Sequence, residues 1–256
     1  MHTDPPHASA FHFASQVNRL YTALISIATS APTQAEPPQA EPSLGGRLLY
    51  AGELDPQGRA LVVAANIAGA APLAATADAS AQKQAVRDGV VDFLVTSLDE
   101  ALRILKNEVR KHETVAVCVA AAPEAVEREM LERGVLPDLL PPACCGPNED
   151  AFLKQGARRV ETDVASEDRI LVAWQVSAAP ARWLPQIDAI ALECLNANDF
   201  ASRRWMRLAP RYLGRLAQGL HVARFTAEAE RAFISRVEAA IQTGKIAVEV
   251  KFRTAD

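Results

Sequence analysis

The sequence predicts an α/β fold: a mainly parallel β-sheet with helices on both faces, an N-terminal helix before it and an α+β extension after it. Three observations predict this. Strand-like and helix-like segments alternate between residues 47 and 140 at the spacing of βαβ units, which places parallel strands in one sheet. Several of the helix starts carry cap residues in the right place. Two proline-rich breakers, at residues 31–46 and 137–148, bracket that alternation and leave between them a segment of about 100 residues, an ordinary domain length. The expected organisation is an N-terminal helix and linker over 1–46, a sheet domain over 47–148 and a C-terminal region over 149–256.

The elements follow in order. Residues 10–30 read as an amphipathic helix with Phe13, Val17, Leu20, Leu24 and Ile27 on one face. Residues 31–46 repeat Gln-Ala-Glu-Pro and contain four prolines, so an extended, exposed linker is expected. Arg47 to Ala51 reads as the first strand, central in the sheet. Asp55-Pro56 is an N-cap followed by proline in the first turn of a helix over 57–70. A weak alanine-rich strand at 71–77 leads to Asp78 and a helix over 80–88 stopped by Gly89. The apolar run Val90 to Val95 suits a buried strand.

Ser97-Leu-Asp-Glu100 is a capping box. It opens a helix to Lys111 with Leu98, Leu102, Leu105 and Val109 inward. Thr114 to Ala120 is the clearest strand, Pro123 to Arg133 a helix ending at Gly134, and Leu136 to Leu140 a further strand. Beyond Asn148 the pattern is mixed. It holds a strand at 170–176, a helix at 186–195 and one or two helices over 201–222 around Pro210. Thr226 then caps a helix to Gln242, and a half-exposed strand closes the chain at 245–252.

Composition bounds the function. Hydrophobic residues make up 49% of the 256, but 49 residues are Ala, so much of that apolar surface is small. The net charge of -4 and the 5% aromatic content argue against a general nucleic-acid binder or a base-stacking platform. No stretch reaches the roughly 20 apolar residues of a membrane helix, and the single Arg19 before Leu20–Ala28 makes a poor secretory signal. A cytoplasmic protein is therefore expected, without membrane or nucleic-acid partners. Cys118, Cys144, Cys145 and Cys194 show neither CxxC nor Cys/His metal spacing and read as free thiols in a reducing compartment. The sharper alternative is a reactive Cys144–Cys145 pair. His2, His7 and His12 read as a disordered tail and no metal site is expected.

Two places carry candidate binding chemistry. After the first strand stands Gly52-Glu-Leu-Asp-Pro-Gln-Gly58, which is neither GxGxxG nor a Walker loop. Gly52 and Gly58 are the candidate phosphate-binding positions, with Asp78, about 20 residues further on, in the place of a ribose-binding acid; an Asp at a strand end is also a common helix cap. Asp55 opposes that reading, because its carboxylate caps the amides a phosphate needs. The second place is Phe200–Phe225, with six Arg and no acid. Arg204, Arg207, Arg211 and Arg215 recur at helical spacing and form a candidate anion site. The alternative is a solvated helix face paired with acids.

The order of motifs from Gly46 to Asp138 resembles the central NAD-binding, Rossmann-type domain of the urocanase (urocanate hydratase) family. The carriers are Arg-Leu-Leu-Tyr-Ala-Gly52, Asp78-Ala-Ser with Lys83 and Arg87-Asp-Gly89, Val91-Asp-Phe-Leu-Val, Thr96-Ser-Leu-Asp-Glu-Ala-Leu102 and Glu132-Arg-Gly-Val-Leu-Pro-Asp138. The resemblance implies bound NAD acting as an electrophile toward an imidazole substrate, with water added afterwards. The sequence departs from the family at two motifs. Of the family's glycine-rich loop only Gly52 and Gly58 keep their places, with Glu53, Asp55 and Pro56 intruding. The family's Asp-Gln-Thr-Ser-x-His-Asp-Pro loop is replaced by Leu139-Leu-Pro-Pro-Ala-Cys-Cys-Gly-Pro. The expectation is a urocanase-like protein with a degenerate dinucleotide domain and no bound cofactor. It would be a homo-oligomer with a binding or assembly role and a possible small anionic ligand. The alternative is an NAD-dependent hydro-lyase acting on urocanate or a related small imidazole or carboxylate substrate.

Overall fold

The structure is a computed structural model that describes residues 6–30, 41–141, 145–161 and 169–255. It divides into two compact units. One comprises Arg19–Glu36 with Pro42–Val164, and the other Met1–Asn18, Pro37–Glu41 and Ala165–Asp256. Helix α1 (Pro6–Ser30) contributes to each unit on its own side of Asn18. Its predicted stripe is apolar and turned inward, with Val17 and Leu24 at 0% exposure. The helix begins before residue 10, so His7 and His12 are helical and the tail reading is corrected at those two positions. His2 lies outside the described residues.

In the first unit β1 (Leu48–Glu53), α2 (Pro56–Ala68), β2 (Ala71–Ala75), α3 (Ala79–Asp88), β3 (Phe93–Val95) and α4 (Leu98–Lys111) follow one another. Then come β4 (Val117–Val119), α5 (Pro123–Glu132), β5 (Leu139–Leu140), α6 (Glu149–Lys154) and β6 (Arg158–Arg159). The strands form one parallel sheet in the order β3-β4-β2-β1-β5-β6, so β1 is interior as predicted. The architecture is Rossmann-like.

The predicted caps are in place. Asp55 Oδ1 accepts the Gly58 N–H at 2.8 Å, Asp78 Oδ1 the Ser80 N–H at 2.7 Å, and Ser97 Oγ the Glu100 N–H at 3.3 Å. Each satisfies a helix-end amide that the helix itself leaves unpaired. One sheet face carries Tyr50, Leu73, Val117 and Val119 against Leu98, Leu102 and Leu105 of α4, Met130 of α5 and Phe152 of α6. On β1 and β2 packs α2, a nearly wholly buried helix that mixes Leu61, Val62, Val63 and Ile67 with alanines: Ala60, Ala64, Ala65 and Ala68 are at 0% exposure, as is Ala74 of β2.

Two expectations in this unit are corrected. The linker was expected to be exposed throughout. Of its described part, Leu44 is buried and donates its N–H to the Ala68 carbonyl at 2.8 Å, tying the chain's approach to the end of α2. The run 90–95 was expected to be a buried strand. Only 93–95 pairs, at the sheet edge, and Phe93 and Leu94 are 48% and 40% exposed. An apolar run does not distinguish an interior strand from an edge strand, because that depends on which strand docks beside it.

In the second unit β7 (Arg169–Val176), α7 (Pro180–Cys194), α8 (Phe200–Leu213), β8 (Leu220–Thr226), α9 (Ala227–Gln242) and β9 (Val250–Ala255) form an antiparallel sheet, β8-β7-β9, with its helices. Helices α7 and α9 pack on β7, and α9 also on β8. Trp174, Phe225, Phe233 and Phe252 form the aromatic core, with Trp174 and Phe233 centroids 5.0 Å apart and Phe225 stacked on Phe233 at 5.2 Å.

The helical reading of 201–222 is corrected here. Helix α8 ends at Gly214, whose φ of +44° and ψ of −120° suit glycine. A short 3-10 turn follows, and Leu220 opens a strand paired with β7 along seven registers. Helix α7 starts at Pro180 rather than 186, because a proline fits the first turn. The last strand starts at Val250 rather than 245. No helix among the described residues is long and apolar enough to cross a membrane.

Candidate functional site

In an open parallel sheet the ligand crevice lies beyond the strands' C-terminal ends, where the strand order reverses. Here the chain runs from β1 to β2 on one side and returns to β5 on the other, so the reversal lies between β1 and β5. The chain leaves β5 at Pro141 into residues 142–144, which lie outside the described residues together with Cys144 of the predicted thiol pair. Cys145 is buried.

The fold brings Gly52, Gly58 and Asp78 to this end of the sheet. Gly52 lies next to last in β1 with φ +72°, where the register with β2 shifts. Gly58 lies in the first turn of α2, where a Cβ would stand 1.9 Å from the Glu53 carbonyl oxygen. Glycine is required there because helix and strand approach too closely for any side chain. That is a structural need a dinucleotide turn also has.

The chemistry around these glycines is acidic. Asp55 occupies the Gly58 N–H, Pro56 has no N–H, and the Arg59 N–H is taken by the Asp55 carbonyl at 2.9 Å. The Glu53 side chain folds back onto the Leu54 N–H at 3.0 Å. Arg59, the cation of this turn, is ion-paired with Asp88, both side chains being largely buried. A pyrophosphate placed here would meet two carboxylates and amides already engaged. The residues of this turn do not fit a dinucleotide's pyrophosphate. Asp78 is likewise committed to its helix cap.

Sequence reasoning missed two buried polar centres, since each joins residues far apart in the chain. In the first unit Glu127 of α5, 2% exposed, accepts hydrogen bonds from the Tyr50 hydroxyl at 3.2 Å and from Asn148 Nδ2 at 2.9 Å. Burial holds its carboxyl above the usual range, and the two donors only partly offset this. In the second unit Asp188 of α7 lies against His221 Nδ1 at 2.9 Å and accepts from Trp174 Nε1 at 3.0 Å. The carboxylate of each centre finds its donors within the protein.

The predicted arginine face is divided. Arg204 and Arg207 converge on Glu41, and Arg203 donates to the Leu192 carbonyl at 3.1 Å. Arg211 lies 5.3 Å from the Tyr212 ring. Arg215 lies in the 3-10 turn beyond Gly214, so the four do not form one helical stripe. Trp205 beside them is buried and donates Nε1–H to the Val222 carbonyl, which makes it core as expected. Among the described residues no three His, Cys, Asp or Glu side chains are grouped to hold a metal ion.

Residues 29–145 match the family model of the urocanase Rossmann-like domain, a span that contains the whole Gly46–Asp138 stretch.

Proposed function

We propose, taking residues 29–145 as the urocanase Rossmann-like domain that they match, that this chain is a urocanase-like protein serving a binding or assembly role rather than hydrating urocanate. The observation that carries this reading is the Asp55 carboxylate seated on the Gly58 N–H, with Glu53 beside it, where the cofactor's pyrophosphate needs free donors. Catalysis through a bound cofactor requires that cofactor to be held rigidly against its substrate. A turn that repels the pyrophosphate removes the largest anchoring charge. The exposed edge of β3, with Phe93 and Leu94, supports assembly with a second copy of the chain, since an uncovered strand edge is a pairing surface.

The test is direct. Purified protein is analysed by mass spectrometry for co-purified NAD, and the decline of urocanate's ultraviolet absorbance is followed with and without added NAD. No bound NAD and no enzyme-dependent loss are expected. Co-purified NAD with turnover would replace this reading by that of an NAD-dependent hydro-lyase.

A further inference from the structure

Glu41 is the point at which two arginines of α8 meet. Arg204 and Arg207 lie three positions apart and are neighbours on one helix face. Arg207 Nη2 reaches both Glu41 oxygens, at 2.7 and 2.5 Å, and Arg204 Nη1 reaches Oε2 at 3.1 Å. Arg204 is 9% exposed, whereas the Arg207 side chain is 59% exposed. A guanidinium as buried as Arg204 needs an anion beside it, and the planar forks of two arginines suit a carboxylate better than two ammonium groups would.

The carboxylate comes from 163 positions away in sequence. It stands at the start of residues 41–44, which form neither helix nor strand. Glu41 belongs to the second of two Gln-Ala-Glu-Pro repeats, at 34–37 and 39–42. Pro42 biases the residue before it to an extended conformation, which presents the Glu side chain away from the backbone. Residues 41–44 supply no helix or strand to hold this carboxylate, and among the described residues its charged contacts are with the two arginines.

We infer that Arg204 and Arg207 form a binding site for the glutamate of a Glu-Pro step, filled in cis by Glu41 as a displaceable latch. The same segment of a second copy, supplied in trans, is chemically equivalent to the one in place. A short tether gives its ligand an effective concentration of order millimolar. A free peptide therefore binds the closed site poorly, and removal of the latch raises its apparent affinity by the reciprocal of the share of sites that the latch had left open.

The experiment uses the full chain and a fluorescein-labelled Ala-Gln-Ala-Glu-Pro-Ser peptide, read by fluorescence anisotropy. The variant Glu36→Gln/Glu41→Gln removes the carboxylate from both repeats. It is expected to bind the peptide about tenfold more tightly than wild type, the gain for a latch that closes about nine sites in ten, with the affinity falling as salt is raised. Adding Arg207→Ala is expected to abolish that gain. If Arg207→Ala lowers the melting temperature, the control is a peptide with Gln in place of its Glu, which is expected not to bind the Glu36→Gln/Glu41→Gln protein. Unchanged affinity on removing the latch, or tight binding that survives loss of Arg207 or of the peptide's charge, would overturn the inference.

Discussion

A Cβ on Gly58 would stand 1.9 Å from the carbonyl oxygen of Glu53. The first turn of α2 thus rests on the end of β1 without space for a methyl group. Gly58→Ala must move the helix or the strand, and a cost of about 2–3 kcal/mol is expected, at the upper end for overpacking. Urea unfolding monitored by circular dichroism measures it. A midpoint equal to wild type would show that the approach yields easily.

Asp55 is the obstacle to a nucleotide at the same turn. Asp55→Ala is expected to cost about 1 kcal/mol as a lost N-cap, and Asp55→Gly only a few tenths. If the cap alone excludes the pyrophosphate, isothermal titration of Asp55→Gly with NAD will show heat that wild type lacks. If the Glu53 carboxylate contributes, Glu53→Gln/Asp55→Gly will bind more tightly than Asp55→Gly. No binding by either variant would place the obstacle elsewhere.

Glu127 gives the fold a pH dependence of defined sign. Its carboxyl is held above the ordinary value of about 4.5 by burial. The native state therefore binds this proton more tightly than the unfolded chain does. The stabilisation is complete below about pH 4.5 and is lost as pH rises through the native-state value. Glu127→Gln keeps the shape and stays neutral, so its stability relative to wild type should rise from pH 5 to pH 8 in urea titrations. A constant difference would contradict this. Glu127→Ala removes the acceptor of the Asn148 amide and one acceptor of the Tyr50 hydroxyl, and should cost roughly 1–3 kcal/mol at either pH.

These two outcomes separate what is local in the sequence from what is not. The caps at Asp55, Asp78, Ser97 and Thr226 were legible because a cap is chemistry between residues two or three apart. The sheet was legible from its alternation. Strand β8 was not, because Leu220–Thr226 follows a helix through Pro210 after only Gly214 and Gly219 as breaks, and its partner β7 lies about 50 residues earlier in the antiparallel register. Glu127–Tyr50, Asp188–Trp174–His221 and Arg204–Glu41 are likewise pairings that only the folded chain creates. The glycines of the first turn were visible, but their structural need became clear only from the contact between Gly58 and Glu53.

Asp188 joins two donors from two strands. Replacing it by Ala leaves Trp174 Nε1 and the His221 ring without their acceptor in a largely buried place. A loss of roughly 1–3 kcal/mol is expected, with Asp188→Asn recovering part of it through the amide oxygen. Tryptophan fluorescence during thermal melting reads both variants. Equal melting of wild type and Asp188→Ala would remove the assigned role.

Cys118 is fully buried in β4 and its thiol is pushed up to about 12, chiefly by burial. Thiol reagents act on the thiolate, so Cys118 is expected to stay unmodified in native protein at pH 8 and to react at once in denaturant. Peptide mapping after alkylation distinguishes the two states. Rapid native labelling of Cys118 would mean that the sheet opens locally.

At the β3 edge, Phe93→Glu/Leu94→Lys is expected to shift the protein toward monomer in light scattering with little change in melting temperature, since both side chains are substantially exposed. An unchanged mass would remove this edge from the assembly reading.

The alanine seam between α2 and its two strands has a consequence for how this protein can vary over generations. Ala60, Ala64, Ala65, Ala68 and Ala74 are all at 0% exposure. A methyl group has no side-chain rotamers to freeze, so each is buried without side-chain entropy loss. For the same reason it has none to rearrange when a neighbour grows. A larger residue at one position cannot be absorbed by repacking the next, as it can in a core of leucines and methionines. In a library of single substitutions these positions should accept little beyond glycine and serine, while the large-residue core around Leu102 and Met130 tolerates exchange. Heritable change in this domain is thereby channelled away from the β1–α2–β2 unit and toward its opposite face.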